Sequence, residues 1–306
     1  VSDLRVAYVP RDAVAVSGPD AVTYLQGQLS QDVAALEVGG SAWSWLLQPA
    51  GKVDALVRVT RTGPEALLVD VDAGHGEAVL NRLTRFKLRT KADLAEHRLR
   101  VVALRGTGAA EAADNLIADA TVADATVAGA GAPGPLPFES AALVVAALWP
   151  GEDAVDVVAR AGTDLGPVGP PQISAGEWEA ERIVAGVPVM GAELTDRTIP
   201  AETGLVAITA SFTKGCYTGQ ELVARIDSRG GNVPRHLRGL RAATPLTPGE
   251  ELTGTDGKVV GSVTSAALHP ELGPVALGYV ARSVEPGAVV DGPVGSVTVV
   301  ALARTA

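Results

Sequence analysis

The sequence predicts an α+β protein that closes with a small β-barrel, and three observations carry that reading. SAWSWLL, VDALVRVTR and EALLVDVD, between residues 41 and 72, are strand-like runs separated by the turn residues PAG and TGP. GEAVLNRLTRFKL (76–88) and SAGEWEAERIVAGVP (174–188) carry apolar residues at helical spacing. From His236 the chain is strand-like and turn-rich, with TDGK (255–258) as a hairpin signal, which sets a barrel over 236–306 apart from a region over 1–235.

The elements follow in order. SGPDAVTYLQGQLSQDVAAL (17–36) opens with turn and cap residues, then spaces Val22, Leu25 and Leu29 as a helix does, with Pro19 near its first turn. The helix over 76–88 places Val79, Leu80, Leu83 and Phe86 on one side. RLRVVALRG (98–106) reads as a strand. Residues 107–137 are rich in Ala, Gly and Pro and read as a loop; GAGAPG within them has the form G-x-G-x-x-G, but a proline interrupts it and no helix pattern follows, so it is no phosphate cradle. AALVVAALW and DAVDVVARA resume strand character. Ser174 and Glu177 have capping-box spacing, Trp178, Glu181, Arg182 and Ala185 lie along successive turns, and Gly186 stops the helix.

Composition narrows the function classes. The 306 residues suffice for two or three structural units. No apolar run is long enough to span a membrane, and VSDLRVAYVPRD lacks the apolar core of a signal peptide, so a cytoplasmic setting without membrane contact is expected. A net charge of −10 argues against extended nucleic-acid binding. A single cysteine excludes an intramolecular disulfide and a cysteine-rich zinc or iron–sulfur site held by one chain.

That cysteine, Cys216, stands in TKGCYTGQEL (213–222). Thr218 and Glu221 form a second capping-box match, with Leu222, Val223 and Ile226 on the face of the helix that follows and Gly230 and Gly231 at its end. Cys216 then precedes a helix start, beside Lys214, and both charges favour the thiolate. The alternative is a small buried hydrophobe. No histidine lies within twenty residues before it and His236 is the nearest after it, so a Cys–His pair has no support in the sequence.

KGCYTGQE, Lys214, Gly215, Cys216, Tyr217, Thr218, Gly219, Gln220 and Glu221, resembles the signature of the YgfZ-type folate-binding proteins, relatives of the glycine-cleavage T-protein (aminomethyltransferase). ERIVAGVPVMGAELTDRTIPAETGL (181–205), VSGPDAVTYLQGQLSQDV (16–33), LLQPAGKVDALVRV (46–59) and GEDAVD (151–156) are similar to further segments of that family. The resemblance implies a three-lobed fold around a central cavity that receives tetrahydrofolate or a derivative. It also implies a part in assembling or maintaining iron–sulfur enzymes, tRNA-modifying ones included, with those enzymes or their assembly factors as partners.

Folate asks for a carboxylate at the pterin edge, apolar or aromatic walls, and cations at the glutamate tail. The acids in family-like segments are Asp54, Glu152, Asp156 and Glu202, and Tyr217 stands with them as a candidate contact inside the signature. Each acid has a structural alternative, such as an exposed strand face or, for Glu202, capping the turn after Pro200. Arg182 is equally placed to pair with an internal acid, whereas Trp178 can stack on ligand but is better placed to fill core. Aminomethyltransferases commonly carry adjacent aspartates where this chain has Asp54-Ala55. Three functions stay open: a folate-dependent accessory protein acting through Cys216 and Lys214, a one-carbon (aminomethyl) transferase acting through Asp54, and a folate-sensing module without chemistry.

Overall fold

The structure is a computed structural model and describes residues 3–118, 142–151, 153–160, 163–165 and 172–303. GAGAPG and Glu152 lie outside the described residues. The chain divides into two compact units, one formed by Val1–Leu47, Asp54–Gln172 and Ile208–Thr218, the other by Gln48–Val53, Ile173–Ala207 and Gly219–Ala306.

The first unit is built on seven strands: β1 (Arg5–Ser17), β2 (Ser41–Leu47), β3 (Val53–Gly63), β4 (Ala66–Asp72), β5 (Asp93–Arg105), β6 (Ala142–Ala146) and β7 (Ala154–Arg160). They lie in the order β2-β3-β4-β1-β5-β7-β6. Three helices accompany them: α1 (Ala21–Gln28), α2 (Gly76–Phe86) and α3 (Ala109–Ala118). The alternation of β5 shows why both faces of the sheet are covered. Val102 and Leu104 join Val6, Val157 and the apolar side of α3, while Leu99 and Val101 join Ala13, Leu68 and Val158.

Two expectations need correction, and one strand is an addition. The helix read over 17–36 is only α1; Leu29 is already extended and bridges to Leu46. Residues 109–118 are helix, because AAEAADNLIA places Ala109, Ala113 and Leu116 on one buried side despite its loop-like composition. β1 was not foreseen, since Pro10, Arg11 and Asp12 interrupt its apolar pattern. Pro10 sits one residue before the pairing with β4 begins at Arg11, where the missing N–H breaks no bond of that ladder.

The polar interruptions of these strands have a common explanation. Arg11 pairs with Asp70 and Asp72, Arg58 with Asp70 (2.9 Å) and Asp156 (2.7 Å), and Arg105 with Asp156 (2.8 Å). Arg58 and Asp70 are cross-strand neighbours of β3 and β4. The guanidinium groups of Arg11 and Arg58 each lie 5.3 Å from the ring centroid of Trp43, on β2. Alternating charge thus links β3, β4, β1, β7 and β5 inside the sheet unit, with Arg58 and Asp70 essentially without solvent exposure.

The second unit holds a closed barrel of β8 (Arg235–Ala242), β9 (Glu251–Thr253), β10 (Val259–His269), β11 (Gly273–Ala281), β12 (Val289–Gly292) and β13 (Gly295–Val300), in the order β10-β11-β8-β13-β12-β9. TDGK forms the β9–β10 turn, with Gly257 at φ 75°. Leu240, Leu252, Val263, Val280 and Val297 fill its interior. Helix α4 (Ala175–Ala185) packs Ala180 and Ile183 on Leu237, Val275, Leu277 and Tyr279. The expected Ser174–Glu177 capping box is present, and Gly186 ends the helix in the left-handed conformation. The 3-10 turn Pro200–Thr203, α5 (Val206–Thr209) and α6 (Gln220–Asp227) complete the helices. Among the described residues no helix is long and apolar enough to cross a membrane.

The charge chain makes Asp156 a sensitive position. Burial acts to raise its carboxyl, but Arg105 and Arg58 outweigh it and hold it below the usual carboxylate range. A depressed carboxyl contributes stability above its unfolded pKa and loses it as pH falls through the folded one. Asp156→Asn takes away the carboxylate that Arg105 and Arg58 share, leaving Arg58 with Asp70 alone, and should cost about 3–5 kcal/mol in urea unfolding. Below about pH 4 the variant should lose stability less steeply than the parent.

Candidate functional site

The C-terminal end of α1 collects three of the segments that the sequence singled out. LQGQLSQD (25–32) presents backbone carbonyls and amide side chains in one turn, because the last carbonyls of a helix have no partner within it. The Lys214 ammonium donates to three of these carbonyls, those of Gln26 (2.6 Å), Leu29 (2.7 Å) and Gln31 (2.8 Å). The Thr218 amide donates to the carbonyl of Gly27 (3.1 Å). Gln28 accepts at Oε1 from Arg82 (3.2 Å), whose Nε donates to Asp54 Oδ2 (2.8 Å) and whose Nη2 reaches the carbonyl of Leu47 (2.9 Å). The same guanidinium stacks 3.9 Å over Phe86.

This geometry revises the role of Lys214. An ammonium has three donors, and all three are directed to carbonyls at the negative end of α1 rather than to the sulfur. Burial pulls its pKa down to about 8, with Asp32 acting in the opposite sense, so near neutral pH it remains a cation and holds all three bonds. Its charge also lies 5.1 Å over the ring of Tyr217, which is buried and whose hydroxyl is pushed up by that burial. Cys216, between these two anchors, is exposed and is not a core residue. Its thiol therefore projects from a loop fixed on both sides.

The second capping box does not form. The N-cap of α6 is Gly219, in the left-handed conformation at φ 81°, with no side-chain cap, and Thr218 stands one residue too early. Gly230 and Gly231 follow the helix end as expected, their amides bonding to the carbonyls of Asp227 and Ile226. In the second unit Gly51, also left-handed at φ 81°, abuts this helix start: a Cβ there would lie 2.4 Å from Leu222 Cβ and 2.9 Å from the Gly219 carbonyl. A Cβ at Gly215 would meet nothing within 4 Å, and Gln220 and Glu221 form the first turn of α6.

The remaining candidates stand elsewhere. Asp156 belongs to the charge chain of the sheet, with one oxygen on Arg58 and the other on Arg105. Glu202 is buried, accepts the Ile199 amide, and takes both Nε and Nη2 of Arg235. Arg182 pairs with Glu179 and Glu193 and donates to the Val187 carbonyl. Trp178, one turn earlier on α4, is half-buried and outside the apolar cluster of that helix. Asp54, by contrast, is about a quarter exposed, and among the described residues Arg82 is its only recorded partner. Arg82 and Gln28 were missed in the sequence, where they read as the polar sides of two amphipathic helices. Glu193 was missed too: its carboxylate is fully engaged by Arg182, the Val189 amide, Thr264 and Ser265. Among the described residues no group of three or more His, Cys, Asp or Glu is placed to hold a metal.

The fold is that of the glycine-cleavage aminomethyltransferases. A crystal structure of aminomethyltransferase T from Bartonella henselae superposes with a TM-score of 0.79, covering 98% of this chain and 86% of that one at 22% identity. No family profile matches the chain. Its relatives include an aminomethyltransferase from Corynebacterium jeikeium, 27% identical over 91% of this chain and 79% of the relative. They also include the tRNA-modifying protein YgfZ of Escherichia coli O45:K1, 30% identical over 82% of this chain and 77% of the relative. The chain belongs to the YgfZ family of aminomethyltransferase-like proteins.

Two substitutions test the anchoring. Lys214→Met leaves three carbonyls without their shared donor and should lower stability by about 1–3 kcal/mol. It should also speed hydrogen exchange at the Thr218 amide, measured by mass spectrometry, more than at the amides of β5. Gly51→Ala adds left-handed strain of about 1–2 kcal/mol and a steric clash. It should lose more in denaturant unfolding than Gly74→Ala, where φ is 89° but nothing lies within 4 Å.

Proposed function

We propose that this protein is a tetrahydrofolate-binding accessory protein of the cytoplasm that acts in the assembly or maintenance of iron–sulfur enzymes, tRNA-modifying ones included, with Cys216 as its reactive group. The observation that carries the reading is the presentation of that sulfur. It is the single thiol of the chain, exposed, on a loop tied down by Lys214 and by the Thr218 amide. A thiol held this way can meet a cluster or a client enzyme without ordering the loop on contact, which limits the entropy lost on association. Membership of the YgfZ family, whose relatives carry the name of tRNA-modifying proteins, supports the direction.

The acids differ in how well they fit a folate. A pterin edge would have to displace an arginine from Asp156 or Glu202, which costs the ion pair already made. Asp54 can accept a donor at Oδ1 while Arg82 keeps Oδ2. Asp54 is therefore the described acid best suited to the folate, with Arg82 and Gln28 holding it in place. When bound, the folate supplies a ring nitrogen that can carry a one-carbon unit. The same carboxylate supports a second reading, aminomethyl transfer through Asp54, which the Corynebacterium jeikeium relative favours. Ala55, in place of a second aspartate, weighs against it.

A deletion strain separates the readings. Loss of the gene should lower the activity of iron–sulfur enzymes and leave glycine cleavage running. Cys216→Ala should fail to restore cluster-enzyme activity yet keep the rise in melting temperature that reduced folate gives the parent. Asp54→Asn should lose that rise. Full complementation by Cys216→Ala would make the cysteine structural. No thermal shift with any reduced folate up to about millimolar would remove folate from the reading. Failure of glycine cleavage with intact cluster enzymes would establish the transferase.

A further inference from the structure

The second unit contains a cleft that none of the preceding roles uses. It lies between the 3-10 turn Pro200–Thr203, α5 and α6, and has a volume of about 170 Å³. Ile199, Pro200, Val206, Val223 and Ile226 give it apolar walls, and Asp227 is its one charged lining residue. Asp227 is exposed, and its carboxylate makes no recorded hydrogen bond or ion pair among the described residues. Glu202 and Arg235, close by in sequence and fold, neutralise one another and offer no competing charge.

Size and charge together define what fits. An apolar cavity of about 150 Å³ is large enough to take up benzene. A cleft of about 170 Å³ thus has room within its walls for one six-membered ring and a short substituent. An apolar ring there removes both surfaces from water, and a cationic substituent gains a modest, salt-dependent attraction to the single exposed carboxylate. An anionic substituent meets the same carboxylate with repulsion.

We propose that this cleft is a binding site for a small monocyclic amine, its ring between Ile199, Val206, Val223 and Ile226 and its ammonium at Asp227. The ligand class is set by the cleft alone and does not rest on the folate or iron–sulfur reading.

The probe is benzylamine, titrated into the full chain while the isoleucine and valine methyl groups are followed by NMR, with benzyl alcohol and benzoate as neutral and anionic matches. Benzylamine should shift the methyls of Ile199, Val206, Val223 and Ile226 with a dissociation constant on the order of millimolar. Its affinity should exceed that of benzyl alcohol by about three- to fivefold at low salt, with benzoate weakest, and the preference should shrink in high salt. Asp227→Asn, at an exposed position, should bring benzylamine and benzyl alcohol to equal affinity. Ala207→Leu, an exposed lining position, should fill the cleft and abolish all three responses without lowering the melting temperature. Absence of shifts at about 10 mM benzylamine would overturn the site. Equal affinities in the parent, or a preference that survives Asp227→Asn, would overturn the assignment of the ligand as an amine.

Discussion

The three bonds of the Lys214 ammonium to the end of α1 fix the site on which the rest of the functional argument stands. A helix of eight residues has few internal hydrogen bonds, and its last carbonyls need donors from outside. One side chain supplies three at once. The cation meets the negative pole of the helix, so the contact is electrostatic as well as geometric. Because the donor comes from a distant part of the chain, it converts a local helix end into a tertiary joint. The same turn of α1 orients Gln28 toward Arg82 and, through it, Asp54. The acid and the thiol are thereby referred to one short element, although nothing in their sequence positions relates them.

That element needs a rigid base, and the sheet supplies it through buried charge rather than through apolar packing alone. Five side chains, Arg11, Asp70, Arg58, Asp156 and Arg105, alternate in sign across five strands. Such a chain adds little net stability over apolar side chains of the same size, but it penalises wrong registers heavily. A slip of β3 by one residue against β4 would turn Arg58 away from Asp70 and Asp156 and leave it without either counter-charge. Long antiparallel strands such as β1 and β5 would otherwise have several near-equivalent registers. The charges make one of them far better than the rest.

These two features also mark where the sequence was legible and where it was not. Elements defined by short-range signals were read correctly: the Ser174–Glu177 capping box, the TDGK turn, α2, and β2 to β4 between their turn residues. β1 and α3 were missed because tertiary partners overrode local composition; a strand with Pro10, Arg11 and Asp12 makes sense only once Asp70 and Asp72 lie beside it. Of the site, the KGCYTGQE stretch was evident and its internal logic was not. Lys214 two residues from Cys216 suggested a charge effect on sulfur, whereas its reach is to residues near position 30. Thr218 and Glu221 had the spacing of a cap, but the backbone requires a left-handed residue there, and glycine at 219 meets that need at lower cost than any capped start. Arg82 carried no signal at all, since an arginine on the polar side of a helix is the ordinary case.

Both family segments that bear on chemistry share one property: the chain passes from one compact unit to the other within them. The crossings fall between Leu47 and Gln48, between Val53 and Asp54, and between Thr218 and Gly219. Gly51 and Gly219, the two left-handed glycines of these segments, touch each other's neighbourhood inside the second unit, where no side chain could be added at Gly51. On the other side of the crossings, Lys214 and Thr218 are bonded to the end of α1, and Asp54 to Arg82, which also reaches Gln28 of α1. Each segment therefore has one half that fixes backbone direction and one half that presents a functional group. The residue types divide accordingly, with glycines where the chain turns and with Asp54, Lys214 and Cys216 where it is anchored. This division explains why the signature reads as a continuous motif although its residues do two different jobs. Substitutions in the glycine half and at Lys214 should act through the fold, and those at Asp54 and Cys216 through chemistry.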